Sequence, residues 1–190
     1  MKKIDINELY KELKHSIFDL NDGIYQIKGK SGCGKTTILK NLYNSNKSKV
    51  AYFDIEQSLI FGNVFDNLCL TEEEYKKSYI YKKYPNLLHQ IISCNEFYHE
   101  NDYNYKFSSG EKQRFALLRN IHTEKKVILL DEPFSNLDIS SAKSFLIFLD
   151  DFSKEFKKIF VIVNHLDIHV KSINNIEVFG RVNNELIINF

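Results

Sequence analysis

The chain has 190 residues, of which 43% are hydrophobic and 27% are charged. This composition is typical of a globular domain, and it excludes a disordered tail, a collagen-like chain and a coiled-coil rod. The 26 lysines and arginines nearly balance 25 aspartates and glutamates, which leaves a formal net charge of +1. Because proteins that coat nucleic acid are usually far more basic, a nucleic-acid partner is not expected.

The length predicts a single domain over residues 1–190. The three cysteines, Cys33, Cys69 and Cys94, include no C-x-x-C pair. They argue against a disulfide scaffold and against a zinc site, and they are typical of a protein from a reducing compartment. No apolar run approaches the roughly 18 residues of a membrane span. The chain begins Met-Lys-Lys-Ile-Asp without an apolar segment, so no signal peptide is expected either. If the protein functions at a membrane, another chain would have to supply the membrane-spanning segments.

Apolar patterning predicts strands alternating with helices along most of the chain. The strands are expected at 24–28, 50–53, 127–130 and 159–163, and a terminal hairpin at 176–179 and 185–188. One helix is expected to follow residue 37, another to occupy 111–122, and a third to be capped by Ser140 or Ser141. The pattern predicts an α/β fold, with a mostly parallel sheet flanked by helices and a small β region. Residues 64–106 lack a strong strand pattern and are expected to form an inserted α-helical subdomain.

A glycine-rich segment connects the first predicted strand with the first predicted helix. Gly29, Gly34, Lys35 and Thr36 match the pattern G-x-x-x-x-G-K-[ST] of a phosphate-binding loop. Glycines let the backbone curve so that successive N–H groups face one anion, and the helix adds its positive end. Lys35 would reach the β- and γ-phosphates, and the Thr36 hydroxyl would bind Mg²⁺. The segment therefore predicts a nucleotide-binding P-loop NTPase.

Two carboxylates follow the predicted strand at 127–130. Asp131 and Glu132 stand where the carboxyl end of a parallel strand opens toward the ligand crevice. Asp131 there can hold the Mg²⁺ shell, and Glu132 can polarise a water for attack on the γ-phosphate. Two solvated acids at a strand end are the alternative interpretation, which the neighbouring phosphate loop disfavours.

These motifs and four further segments together resemble the nucleotide-binding subunit of ATP-binding cassette (ABC) proteins. Gln57 is similar to the family's Q-loop glutamine, and His165 is similar to its switch histidine. The segment 107–114, Phe-Ser-Ser-Gly-Glu-Lys-Gln-Arg, resembles the family signature, and 135–138, Ser-Asn-Leu-Asp, resembles the D-loop. The motifs occur in the family's order, and the resemblance spans roughly residues 10 to 190.

The resemblance implies a set of site residues and the cofactors ATP and Mg²⁺. Catalysis is expected from Glu132, His165 and Gln57, and metal binding from Thr36, Gln57 and Asp131. Two such domains would bind two ATP molecules head to tail, so that Ser108 and Gly110 contact the γ-phosphate across the interface. The expected nucleotide contacts are Gly29, Ser31, Gly32, Cys33, Gly34, Lys35, Thr36, Thr37, Ser108, Gly110, Asp138 and, as the adenine-stacking aromatic, Tyr10.

Several positions depart from the family pattern or allow a second interpretation. Ser109 stands where the signature has a glycine, and Glu111 stands where it has glutamine. The segment before Gly29 is short, so Tyr10 aligns a few residues away from the adenine-stacking position, and a surface tyrosine is an equal alternative. Cys33 is interpreted by default as a small neutral side chain. Since a helix N-terminus can activate a thiol, we also expect alkylation of Cys33 to block ATP binding and bound ATP to protect it.

The predicted function is that of the ATPase subunit of an ABC membrane transporter on the cytoplasmic face of the membrane. The resemblance implies a separate transmembrane permease subunit and a homodimer or heterodimer of nucleotide-binding domains. The segment 57–68 is similar to that of export-type cassettes and favours export of a peptide, lipid or drug-like compound. Two alternatives stay open: a soluble ABC ATPase acting on nucleic acid or ribosomes, and a slow regulatory or sensor cassette.

Overall fold

The computed structural model describes residues 3–5, 10, 13–14, 16–29, 31–53, 77, 82–83, 116–121, 123–135, 137–164, 173–182 and 185–189. The chain divides into two compact units. The first consists of Met1–Asp54 together with Glu124–Phe190, and the second is Ile55–Thr123.

The described part of the first unit includes two helices with defined ends and the strands of one sheet. In chain order its elements are β1 (Lys3–Asp5), β2 (Gly23–Lys28), α1 (Lys35–Ser45), β3 (Val50–Phe53), β4 (Val127–Asp131), α2 (Ile139–Phe156), β5 (Ile159–Val163), β6 (Asn174–Val182) and β7 (Glu185–Asn189). The strands predicted at 50–53 and 159–163 are confirmed with the same bounds. The terminal hairpin is also confirmed, and both of its strands are longer than predicted.

Within the residues that the structure describes, seven strands form one sheet in the order β1-β7-β6-β2-β5-β4-β3. Five neighbouring strands are parallel, namely β6, β2, β5, β4 and β3. By contrast, β7 pairs with β6 on one side and with β1 on the other in antiparallel fashion. This architecture confirms the predicted mostly parallel sheet. Because β2 and β4 both flank β5, their carboxyl ends lie at the same edge of the sheet, one strand apart.

Both faces of the sheet are covered, which explains the apolar character of its central strands. On one face the apolar side chains of α1 pack with Leu13, Ile17 and alternate strand residues such as Leu129 and Val161. On the other face α2 presents a row of phenylalanines, and Phe152 contacts Phe160 of β5 with 6.4 Å between ring centroids. All five residues of β4 and of β5 are buried, as expected of parallel strands between two helical layers.

The second unit is described for a few residues. Residues 116–121 are helical, in agreement with the helix predicted at 111–122. Ala116, Leu117, Leu118 and Ile121 are buried there. The subdomain predicted at 64–106 lies almost entirely outside the described residues, so its boundaries stay a prediction. Among the helices that the structure describes, none combines the length and apolar character needed to cross a membrane.

Candidate nucleotide-binding site

The glycine-rich loop connects the end of β2 with the start of α1. Gly32 and Gly34 have φ angles of +75° and +100°, a region that L side chains rarely adopt. A Cβ atom on Gly32 would meet no atom within 4 Å, so the backbone angle and not the available space favours glycine there. Gly34 is the N-cap residue of α1, and no side chain there accepts a hydrogen bond from the N–H groups of the first turn. The first N–H groups of α1 therefore face the position where an anion would bind.

Lys35 lies over this loop and not in solvent. Its side chain is 5% exposed, and its Nζ donates a hydrogen bond to the carbonyl oxygen of Gly29 at 2.8 Å. The same ammonium lies 3.9 Å from the Sγ of Cys33. Ser31, Gly32, Thr36 and Thr37 are exposed around it. The arrangement places one positive charge at the centre of the loop, where it matches a phosphate.

Cys33 packs into the core below the loop. It is 5% exposed and belongs to the apolar cluster around α1. This burial favours the interpretation of Cys33 as a small packing residue. The predicted block of ATP binding by alkylation stays a prediction, and it requires the loop to open before the reagent can reach the thiol.

The carboxylate of Asp131 meets the loop helix at the carboxyl end of β4. Asp131 is 8% exposed, and its Oδ1 accepts a hydrogen bond from the Thr36 hydroxyl at 3.1 Å. Its Oδ2 accepts a second one from the Tyr52 hydroxyl at 3.0 Å. Carboxylate and hydroxyl oxygens are the hard ligands that Mg²⁺ prefers, and Mg²⁺ on nucleotides takes few of them from protein. Thr36 and Asp131 thus fit the predicted magnesium site.

Glu132 follows with an unusual backbone. Its φ is +47°, in the left-handed region, although it is not a glycine. Its N–H donates to the carbonyl oxygen of Val163 on β5 at 2.8 Å, and its own carbonyl accepts from the N–H of Ser135 at 3.3 Å. These two bonds hold the turn in place and leave the side chain partly exposed at the same edge of the sheet as the loop.

Asp138, a predicted nucleotide contact, occupies a position that the sequence did not anticipate. Asp138 is the N-cap of α2: its Oδ1 accepts from the N–H of Ser141 at 2.9 Å, and its Oδ2 accepts from the hydroxyl of Ser141 at 2.6 Å. The cap expected at Ser140 or Ser141 is therefore wrong, because α2 begins at Ile139 and its cap must precede that residue. These bonds lower the pKa of Asp138, the side-chain bond from Ser141 most of all. Contact of Asp138 with nucleotide stays a prediction.

Tyr10 lies at the opposite end of α1 from the loop. Its hydroxyl is hydrogen-bonded to that of Ser45, the last residue of α1, and its ring packs against the core beside the Nζ of Lys14. Ser45 is ten positions after Lys35 in the helix, which corresponds to roughly 15 Å along the helix axis. This placement does not favour adenine stacking, and that role also stays a prediction.

The remaining predicted site residues lie outside the described residues. They are Gln57, Ser108, Gly110 and His165. The departures at Ser109 and Glu111 lie there as well. Conversely, Tyr52 contacts Asp131 directly, yet the sequence offered no reason to select it beyond its place in an apolar strand.

Comparison with known proteins identifies the family. A family model described as ABC transporter matches residues 13–135. The chain belongs to the ABC transporter family. This confirms the predicted resemblance. The matched range includes the glycine-rich loop, Thr36 and Asp131.

The relatives are named as ATP-binding subunits of import systems. The ABC chain is 30% identical to the methionine import ATP-binding protein MetN of Clostridium tetani, over 90% of its own length and 63% of that protein. It is 32% identical to the spermidine/putrescine import ATP-binding protein PotA of Mycoplasma mycoides, over 80% of its own length and 50% of that protein. The chain thus spans about half to two thirds of the length of these relatives. Since they are named for import, they do not support the expected export.

Solved structures show the same fold. The "RNase-L Inhibitor" structure superposes with a TM-score of 0.64 at 21% identity, covering 84% of this ABC chain and 32% of that chain. A second match is the complex of the archaeal ribosomal stalk protein aP1 with the ribosome recycling factor aABCE1, with a TM-score of 0.62 at 24% identity and the same coverage. These likenesses confirm the α/β fold alone and carry no argument about partners.

Proposed function

We propose that this chain binds and hydrolyses ATP for an ABC importer, in which separate membrane permease subunits carry the solute. The observation that carries the proposal is the 3.1 Å hydrogen bond between Thr36 and Asp131. It joins the first turn of the loop helix to the carboxyl end of β4, which is where phosphoryl transfer needs its metal ligands. Import and not export is proposed because the relatives are named for import.

The residues of the loop would bind the phosphates. Lys35 would exchange the Gly29 carbonyl for the β- and γ-phosphates, while the first N–H groups of α1 face the same anion. Thr36 and Asp131 would hold Mg²⁺, which neutralises the charge that develops on the phosphates. Gln57 is proposed to complete that set of ligands.

Glu132 would orient the attacking water. Its left-handed backbone and its bond to Val163 fix the turn that follows Asp131, so the carboxylate starts from a defined position. His165 is proposed to contact the γ-phosphate. In a dimer of such domains, Ser108, Gly110 and Asp138 of the second copy would contact the nucleotide from the other side. Two domains then close on ATP and open after hydrolysis at the cytoplasmic face of the membrane.

Two variants test the ATPase proposal. Lys35→Ala removes the charge at the centre of the loop and is expected to weaken ATP binding by about 10- to 100-fold, since hydrogen bonds to charged groups contribute about 1.5–3 kcal/mol. Glu132→Gln is expected to retain binding and to lower the turnover rate by about 10²- to 10⁴-fold. Binding is measured with a fluorescent ATP analogue, and turnover is measured by phosphate release.

Matched controls come from exposed residues of α1 and α2. Lys40→Ala on α1 and Glu155→Gln on α2 change the same charges away from the loop and are expected to leave both measurements unchanged. Hydrolysis by Glu132→Gln at the wild-type rate would show that the base is wrongly assigned.

The same Glu132→Gln variant tests the transporter proposal. Held closed by ATP, the tagged protein is captured from detergent-solubilised membranes, with Lys35→Ala as the control whose weaker ATP binding leaves less of it closed. Recovery of a polytopic membrane protein with Glu132→Gln alone is the expected result, and solute uptake by the wild-type chain together with that membrane protein gives the direction of transport. Recovery of ribosomes or DNA-associated proteins without a membrane partner would overturn it in favour of a soluble ABC ATPase.

A further inference from the structure

Tyr52 touches the candidate metal ligand without belonging to any predicted motif. Its hydroxyl donates to Oδ2 of Asp131 at 3.0 Å, while the Thr36 hydroxyl donates to Oδ1 of the same carboxylate at 3.1 Å. The two oxygens of Asp131 thus face two different elements, β3 and α1. A carboxylate held at both oxygens cannot rotate about its Cβ–Cγ bond without breaking one of these hydrogen bonds.

The register of the sheet explains why Tyr52 reaches Asp131. β3 and β4 are parallel, and Tyr52 is the direct partner of Leu129. Since side chains alternate along a strand, Leu129 and Asp131 project from the same face, the one that α1 covers. Tyr52 therefore lies diagonally next to Asp131 on that face, and a side chain as long as tyrosine spans the gap.

The ring of Tyr52 is itself held in place. It stacks on the ring of Tyr43 from α1, with 5.5 Å between the centroids and 27° between the planes. The Nζ of Lys47 lies 5.8 Å from the centroid of the Tyr43 ring. An aromatic stack of this kind restricts the side-chain rotation of Tyr52, so its hydroxyl is available at one place before any ligand binds.

We propose that Tyr52 is a positioning residue for Mg²⁺–nucleotide binding, because its hydroxyl orients the Asp131 carboxylate so that Oδ1 stays turned toward Thr36. The inference rests on the proposed function and extends it to a residue outside the phosphate loop. Partners that orient a metal ligand in this way change metal affinity by about 10- to 100-fold when they are removed. Tyr52 acts through Asp131 and requires no contact of its own with the nucleotide.

Tyr52→Phe tests the proposal because it removes the hydroxyl and keeps the stacked ring. Binding of a fluorescent ATP analogue is measured in EDTA and then along a Mg²⁺ titration. We expect unchanged binding in EDTA and a Mg²⁺ midpoint about 10-fold higher than that of the wild type. Excess Mg²⁺ is expected to restore the wild-type turnover rate, with little change in the KM for ATP at saturating Mg²⁺.

Tyr43→Phe is the matched control, since it removes a hydroxyl from the other ring of the same stack. We expect it to leave the Mg²⁺ midpoint unchanged. An unshifted midpoint in Tyr52→Phe, or an equal shift in both variants, would overturn the positioning role while leaving the proposed ATPase function intact. A wild-type protein that binds no nucleotide would overturn the proposed function itself.

Discussion

The backbone of Glu132 is the feature that most separates the candidate site from an ordinary strand end. A left-handed φ on a residue with a Cβ costs about 1–2 kcal/mol relative to the right-handed region. Such strain persists where the surrounding structure holds it, here through the bonds of Glu132 with Val163 and Ser135. We infer that this turn lowers stability relative to an unstrained backbone at the same position.

Replacement of Glu132 by glycine and by alanine tests this inference. Both variants lose the carboxylate, but glycine relieves the backbone strain and alanine does not. After allowance for the greater freedom of glycine in the unfolded chain, we expect Glu132→Gly to have a free energy of unfolding about 0.5–1 kcal/mol above that of Glu132→Ala. Urea denaturation measures the difference, and an alanine variant more stable than the glycine variant by about 0.5–1 kcal/mol would mean that the turn is unstrained.

On the scale of single elements, α2 depends on a charged cap. The two bonds from Ser141 to Asp138 satisfy an N–H group at the start of the helix and bring a negative charge to its positive end. They lower the pKa of Asp138 below its ordinary value of 3.8. The stabilisation by the charged cap is therefore complete above that value and is lost as the pH falls through the lower pKa of the folded state.

Asp138→Asn isolates this pH dependence, because asparagine also caps helices but does not titrate in this range. We expect the difference in thermal midpoint between the wild type and Asp138→Asn to be constant from pH 7 down to about pH 5 and to shrink below about pH 4. A difference that stays constant down to pH 3 would show that the charge of Asp138 contributes nothing to the cap.

On the scale of the first unit, stability comes from apolar packing on both faces of the sheet. Phe148 of α2 is 1% exposed and contacts Phe145 and Phe152, with ring centroids 5.6 Å and 5.7 Å away. Phe156, at the end of the same row, is 43% exposed. The two phenylalanines thus differ in burial within one helix, which separates the effect of core packing from that of helix composition.

Truncation of these two side chains tests the importance of the α2 face. We expect Phe148→Ala to lower the free energy of unfolding by about 3–5 kcal/mol, since it removes buried surface and leaves a cavity. Phe156→Ala is expected to cost clearly less, because water already reaches that ring. Equal losses, measured by urea denaturation, would contradict the placement of Phe148 in the core.

The local features of this protein follow from its sequence, because neighbouring residues alone determine them. The glycine loop between a strand and a helix, the buried strand that ends in Asp131, and the strand at 159–163 were all predicted. The prediction failed where the local signal was ambiguous. Asp, Ser and Thr all cap helices well, so the sequence does not distinguish Asp138 from Ser140 or Ser141. The structure identifies Asp138 as the cap because α2 begins at Ile139.

What the tertiary structure decided is which distant residues meet. The alternation of Val50 and Tyr52 predicts a shared face, but not that β3 pairs with β4 and brings Tyr52 to Asp131. Tyr10 likewise lies beside Ser45 because the segment before β2 packs against the far end of α1. The sequence by itself determined the phosphate loop, the strand with its carboxylates and the family. The order and register of the strands placed the tyrosine hydroxyl, because hydrogen bonds between strands join residues far apart in the chain.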